Sequence, residues 1–157
     1  METNHFQLAQ INIARMLAPL EDPIMADFVA QRDEINRLGD AAPGFVWRSQ
    51  SSDSNAMAIT LFDDTYLMVN LSVWESVEAL FEFAYRSQHG RVISRRRKWF
   101  ESMGTPILAL WWIPAGVIPT PEEGKARLDN LTQHGPTSYA FTFKDRYPAP
   151  AMLPDKP

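Results

Sequence analysis

The nine residues from Tyr66 to Trp74 constrain this chain more than any other stretch. Leu67, Val69, Leu71 and Val73 alternate with Tyr66, Met68, Asn70, Ser72 and Trp74. At the two-residue period of a strand, each series falls on its own face. One face is wholly aliphatic and suits packing beneath helices. The other combines rings with an amide and a hydroxyl. A strand over about His5 to Ala14 divides the same way, with Ile11 and Ile13 on the aliphatic side and Gln10 and Asn12 across from them. Asn12, Asn70 and Trp74 are therefore expected to share one open face.

The elements around these strands follow from caps and breakers. Asp22-Pro23 reads as an N-cap and first helical residue, opening a helix along Ile24, Phe28, Ile35 and Leu38 that Gly39 ends. Pro43-Gly44 turns into a second strand, Phe45 to Arg48. Ser49 to Asn55 reads as a hairpin connection leading to a third strand, Ala56 to Phe62, broken at Asp63-Asp64-Thr65. Tyr66 to Trp74 is then either a separate strand or the resumption of a bulged one. Ser76 caps a second helix to Tyr85, and beyond Gly90 the spacing of Val92, Arg96, Trp99 and Phe100 continues a helical face towards Gly104. Pro106 forces the apolar run Ile107 to Ile113 into a strand. Thr120-Pro121-Glu122-Glu123 has the form of a capping box, and its helix should stop at His134-Gly135-Pro136. Ser138 to Phe143 alternates as a last strand.

The order β α β β α β with an αβ addition is a ferredoxin-like α+β core carrying an extension. One domain spans residues 1–145, and a Pro-rich tail occupies 146–157. Helices confined to one face leave the other to be covered. A second copy of the sheet would do so in a homodimer, the arrangement of a dimeric α/β barrel.

Composition removes several function classes. A net charge of −4 gives no basic surface for nucleic acid, and Arg95-Arg96-Arg97-Lys98 is too short to act as a basic arm. No run approaches the roughly 18 apolar residues of a membrane span, and the first residues do not form a basic, then apolar, leader. The expectation is a cytoplasmic protein with neither membrane nor nucleic-acid partner. Without cysteine there are no disulfides and no thiolate ligands. The three scattered histidines give no closed zinc site, so no metal is expected. Gly-x-Gly-x-x-Gly, the phosphate loop, Gly-x-Ser-x-Gly and His-Glu-x-x-His are all absent from the sequence.

What remains is a face suited to a small-molecule ligand, mostly apolar with a few converging amides. Asn12 and Asn70 would orient a ligand oxygen and Trp74 would stack; in Leu110-Trp111-Trp112-Ile113-Pro114 one Trp should meet the helices and the other the open face, with Trp112 the ligand-binding candidate. Tyr85 and His89 lie one helical turn apart; His89 would move a proton or ligate haem iron. Arg96, on an otherwise apolar stripe, would fix an anionic group. The ordinary structural alternatives are an interface that consumes Asn12, Asn70 and Trp74, a hydrogen-bonded helix-end His89, and an Arg96 paired with a carboxylate.

Several stretches together resemble the family named for domain of unknown function 3291 (DUF3291). They are His5 to Asn12, Pro43 to Trp47, Ser72 to Ser76 with Tyr85 and His89, Arg95 to Phe100, Trp111 to Pro114, and Gly135-Pro136. The resemblance runs to about Lys144 and implies the dimeric α/β barrel superfamily, which includes cofactor-independent monooxygenases of antibiotic biosynthesis and several haem enzymes. Three readings follow: metal-free, monooxygenase-like oxidation of an aromatic or apolar substrate with His89, Asn12 and Tyr85 as its catalytic residues; a haem enzyme with His89 as axial ligand; and a non-enzymatic binding or interaction module.

Overall fold

A computed structural model describes residues 5–50, 53–86 and 99–150. Among these residues five strands form one antiparallel sheet: β1 Phe6–Met16, β2 Phe45–Arg48, β3 Leu67–Trp74, β4 Phe100–Glu101 and β5 Leu108–Pro114. The order is β2-β3-β1, with β5 and the short β4 sharing the far edge of β1. Leaving β4 aside, this arrangement is consistent with a ferredoxin-like core. The helices are α1 Ala26–Asp40, α2 Ser54–Phe62, α3 Val77–Phe81 and α4 Pro121–His134. A 3-10 turn, Pro23–Met25, leads into α1, and α3 widens into a π turn at Glu82–Arg86.

The cap chemistry acts where the sequence places it. Asp22 accepts from the Ile24 amide at 3.0 Å, Ser76 from Ala79 at 3.1 Å, and Thr120 from Glu123 at 3.1 Å. Each satisfies an amide that the first helical turn leaves unpaired. α4 ends at Gly135 with φ 74°, a conformation that costs glycine little.

Four expectations are corrected. Ala56 to Phe62 is not a strand but most of α2, inserted between β2 and β3. It docks through hydroxyls: beyond the end of β2, the edge of β3 left without a strand partner donates from Val69 to Ser54 Oγ at 2.8 Å and from Leu71 to Ser49 Oγ at 3.1 Å. Amides that would otherwise form an open sheet edge are thereby paired. Trp99 and Phe100 do not continue a helix; Trp99 lies in a turn, and Phe100 pairs with Met16 as β4. Ser138 to Phe143 is reduced to a single bridge, in which Phe141 exchanges two hydrogen bonds with Leu110. Gly39 lies within α1 and does not end it. Its role is close approach, since a Cβ there would sit 3.1 Å from Phe83.

The aliphatic face is packed as expected. Ile11, Val69, Leu71 and Trp111 meet Met57 and Ala58 of α2 and Leu128 and Leu131 of α4. α4 comes close because Gly124 has no side chain; a Cβ there would stand 2.8 Å from Leu71 Cδ2 and 3.0 Å from Ile11 Cδ1. The opposite face is not left open. α1 reaches it through Phe28, packed with Met16, Met68 and Trp99, and α3 through Val77 and Leu80, packed with Trp74. Both sheet faces are thus covered by the chain's own helices, and a homodimer formed by stacking bare sheets loses its premise.

Candidate functional site

Strand parity brings the polar residues of the second face together. Asn12 stands opposite Asn70 on β3 and Leu108 on β5, and Gln10 stands opposite Ser72 and Leu110. Two amides, a third amide and a hydroxyl therefore meet at the centre of the sheet. Hydrogen bonds join them in one line: Asn70 Nδ2 donates to Asn12 Oδ1 at 3.5 Å, Asn12 Nδ2 to Gln10 Oε1 at 3.0 Å, and Gln10 Nε2 to Ser72 Oγ at 2.7 Å. Trp74 Nε1 donates to the same Ser72 oxygen at 2.9 Å. Such a line under helices is stable only because its buried members have partners.

Above this line α1, α3 and the sheet do not close. A cavity of about 340 Å³ remains, floored by Gln10, Asn12, Asn70, Ser72 and Trp74. Its α1 wall carries Phe28, Ile35, Asn36 and Gly39, and its α3 and π-turn wall carries Leu80, Phe83, Ala84 and Tyr85. Phe45, Phe100 and Phe143 complete an aromatic surround. This size and this mixture, mostly apolar with a few convergent polar groups, are those of a small-molecule pocket. Arg48 is the one charged residue among the described lining, and Asp40 occupies it through Nε at 2.7 Å and Nη2 at 3.1 Å. Its charge is compensated before any ligand arrives.

The residues singled out from the sequence are distributed unevenly. Asn12, Asn70, Trp74 and Tyr85 all line the cavity. Trp74 is 2% exposed, with its ring stacked on Phe83 at 5.3 Å and Phe45 set edge-on at 5.4 Å, so it forms an end wall. Tyr85 is 51% exposed and sits at the margin against Phe81 and Phe143. Trp112 is not part of the lining. Its indole N–H donates to the Tyr147 carbonyl at 2.9 Å, and Tyr147 also packs on Phe141, so this side chain anchors the segment after α4. His89 and Arg96 lie outside the described residues. Among the described residues no cluster of three or more His, Cys, Asp or Glu could hold a metal, and no helix is long and apolar enough to cross a membrane.

Sequence reasoning did not find the α1 contribution. Phe28, Ile35, Asn36 and Gly39 recur at helical spacing, and that stripe was the available signal. Ser72 was on the correct face, but its place as the acceptor where two donors converge depends on the register of β1 against β3. Away from the cavity, Arg15 bridges Asp64 at 2.9 Å and Glu101 at 3.0 Å, tying β4 to β1. Burial pushes the Asp64 carboxyl up, but the Tyr66 amide and the Arg15 guanidinium outweigh it and hold the group below its ordinary value.

The family model described as "Domain of unknown function (DUF3291)" matches residues 7–156. No curated protein matches. Among solved structures, the chain is similar to PA3566 from Pseudomonas aeruginosa, with 13% identity, a TM-score of 0.47, and coverage of 74% of this chain and 100% of that one. It is also similar to NE2512, a protein of unknown function from Nitrosomonas europaea, with 10% identity, a TM-score of 0.44, and coverage of 74% and 95%.

Proposed function

This chain belongs to the DUF3291 family, and from that premise we propose that it binds a small, largely apolar, uncharged molecule between the sheet and helices α1 and α3. One observation carries the reading: a cavity of about 340 Å³ sits directly on a hydrogen-bonded line of amides. Keeping several polar side chains under helices costs stability unless they are paired, so a face made only for packing would be aliphatic, as the opposite face is. Compensation of Arg48 by Asp40 favours a neutral ligand. Binding is what these residues can perform by themselves. Metal-free, monooxygenase-like oxidation is the catalytic extension of this reading, and it relies on His89 to move a proton.

A neutral fluorescent probe, N-phenyl-1-naphthylamine, tests the binding step. Its emission should rise saturably with the unaltered protein. Ala84→Phe, which fills the cavity from the π turn, should abolish that rise while circular dichroism stays unchanged. Saturable emission that survives in a folded Ala84→Phe protein would sink the assignment to this cavity.

A further inference from the structure

The direction of the hydrogen bonds says more about the ligand than the cavity volume does. Every link runs from Asn70 towards Ser72. Ser72 Oγ accepts from both Gln10 and Trp74, and the carbonyl oxygens of Gln10 and Asn12 each accept from the amide before them. Each acceptor along the line thus already takes at least one hydrogen bond until Asn70 is reached. Among the described residues no group donates to Asn70 Oδ1, and its amide nitrogen has a second N–H beyond the one turned to Asn12. The Asn70 to Asn12 link is also the longest, at 3.5 Å, the limit of a useful hydrogen bond. Asn70 is thus the member that presents an acceptor and a donor side by side.

Resting on the binding reading, we propose that the pocket selects a ligand whose edge carries an adjacent N–H and C=O, an uncharged carboxamide or lactam, on an aromatic body. The ligand N–H donates to Asn70 Oδ1, and the ligand carbonyl accepts from Asn70 Nδ2. Phe28, Phe45 and Phe83 enclose the rings. A carboxylate has no N–H to offer and places an oxygen against Asn70 Oδ1, with Arg48 already held by Asp40. A ketone satisfies one half of the pair, and a hydrocarbon satisfies neither. Sites built around paired polar groups discriminate strongly against analogues that leave those groups unpaired.

The test compares four bicyclic probes of similar shape by displacement of N-phenyl-1-naphthylamine: 1-naphthamide, 1-acetonaphthone, 1-ethylnaphthalene and 1-naphthoate. The expected order is amide, then ketone, then hydrocarbon, with naphthoate weakest, and with the amide at least about tenfold tighter than the hydrocarbon. Asn70→Leu should bring the amide down to the level of the hydrocarbon. Asn70→Asp, which keeps the shape and an acceptor but loses the N–H, should cost the ketone its advantage over the hydrocarbon while the amide, whose N–H still finds an oxygen, keeps part of its own. Amide and hydrocarbon displacing equally in the unaltered protein would overturn the ligand class while leaving binding in place, and so would naphthoate displacing best. If none of the four displaces the probe, the ligand class fails, while the cavity reading still stands or falls with Ala84→Phe. The rank order in the unaltered protein needs no substitution, so a poorly folding variant cannot mask the result.

Discussion

Asn70 and Leu71 follow one another on β3 and meet two different environments. Leu71 is 1% exposed, locked between Ile11 and the bare Cα of Gly124, whereas Asn70 faces a cavity of about 340 Å³. Helices cover both faces, so cover alone does not account for the contrast. On the aliphatic side a glycine lets α4 approach until hydrocarbon fills the space. On the other side, α1 and α3 stand on large rings above polar groups that must keep their hydrogen bonds, and a gap remains. The comparison teaches that one strand, read at a period of two, can specify a sealed core and a receptive surface at once.

The contrast breaks most visibly at Leu71. Leu71→Ala should cost about 2–5 kcal/mol in urea denaturation, the usual range for opening a void in a sealed core; a loss below about 1 kcal/mol would show that this face is loosely packed. Ser72→Ala comes next. It removes the shared acceptor of Gln10 and Trp74 and should cost about 1–3 kcal/mol, with the indole emission of Trp74 altered; an unchanged thermal midpoint would mean that the amide line contributes nothing to stability.

The two helical glycines sharpen the comparison by sign. Gly124→Ala drives a methyl into Leu71 and Ile11, and that crowding should outweigh the helix-propensity gain of about 1 kcal/mol, lowering the midpoint. At Gly39→Ala the nearest atoms belong to the Phe83 ring, at 3.1 Å and beyond, and this ring borders the cavity, so a shift of a few tenths of an ångström should let the same gain raise the midpoint and slightly weaken probe binding. Equal signs for the pair would erase the difference between the faces. The smallest effect belongs to the Arg15 cluster. The Asp64 carboxyl titrates below its ordinary value in the folded chain, so its contribution is complete above about pH 4 and disappears as pH falls further. This solvent-screened pair should contribute little, and Asp64→Asn should flatten the acid limb of a stability profile only slightly; an unchanged limb would show that the pair contributes nothing.

The parity of β1 and β3 was legible because alternation is a local property, and it gave both the sealed face and the grouping of Asn12, Asn70 and Trp74. The caps at Asp22, Ser76 and Thr120 were legible for the same reason. α2 was misread because Ala56 to Phe62 is apolar except for Thr60, and such a run shows no clear period to separate a buried helix from a buried strand. What settles it is Ser54 meeting the Val69 amide, a contact across 15 residues that no local pattern records. Ser138 to Phe143 alternates as a strand should, yet Thr137 Oγ1 accepts from the amides of Tyr139 and Ala140 and draws the backbone into a turn. Gly39 looked like punctuation because close approach to Phe83 is visible only in three dimensions.

The inserted helix α2 has a further consequence. It spends nine residues doing for the sheet what another subunit would otherwise have to do, and the two seryl hydroxyls of its approach also blunt a strand edge that could recruit a neighbour. A shortened chain lacking Ser54–Phe62 would trade self-sufficiency for stickiness, turning Val69 and its aliphatic companions into a surface that must find company.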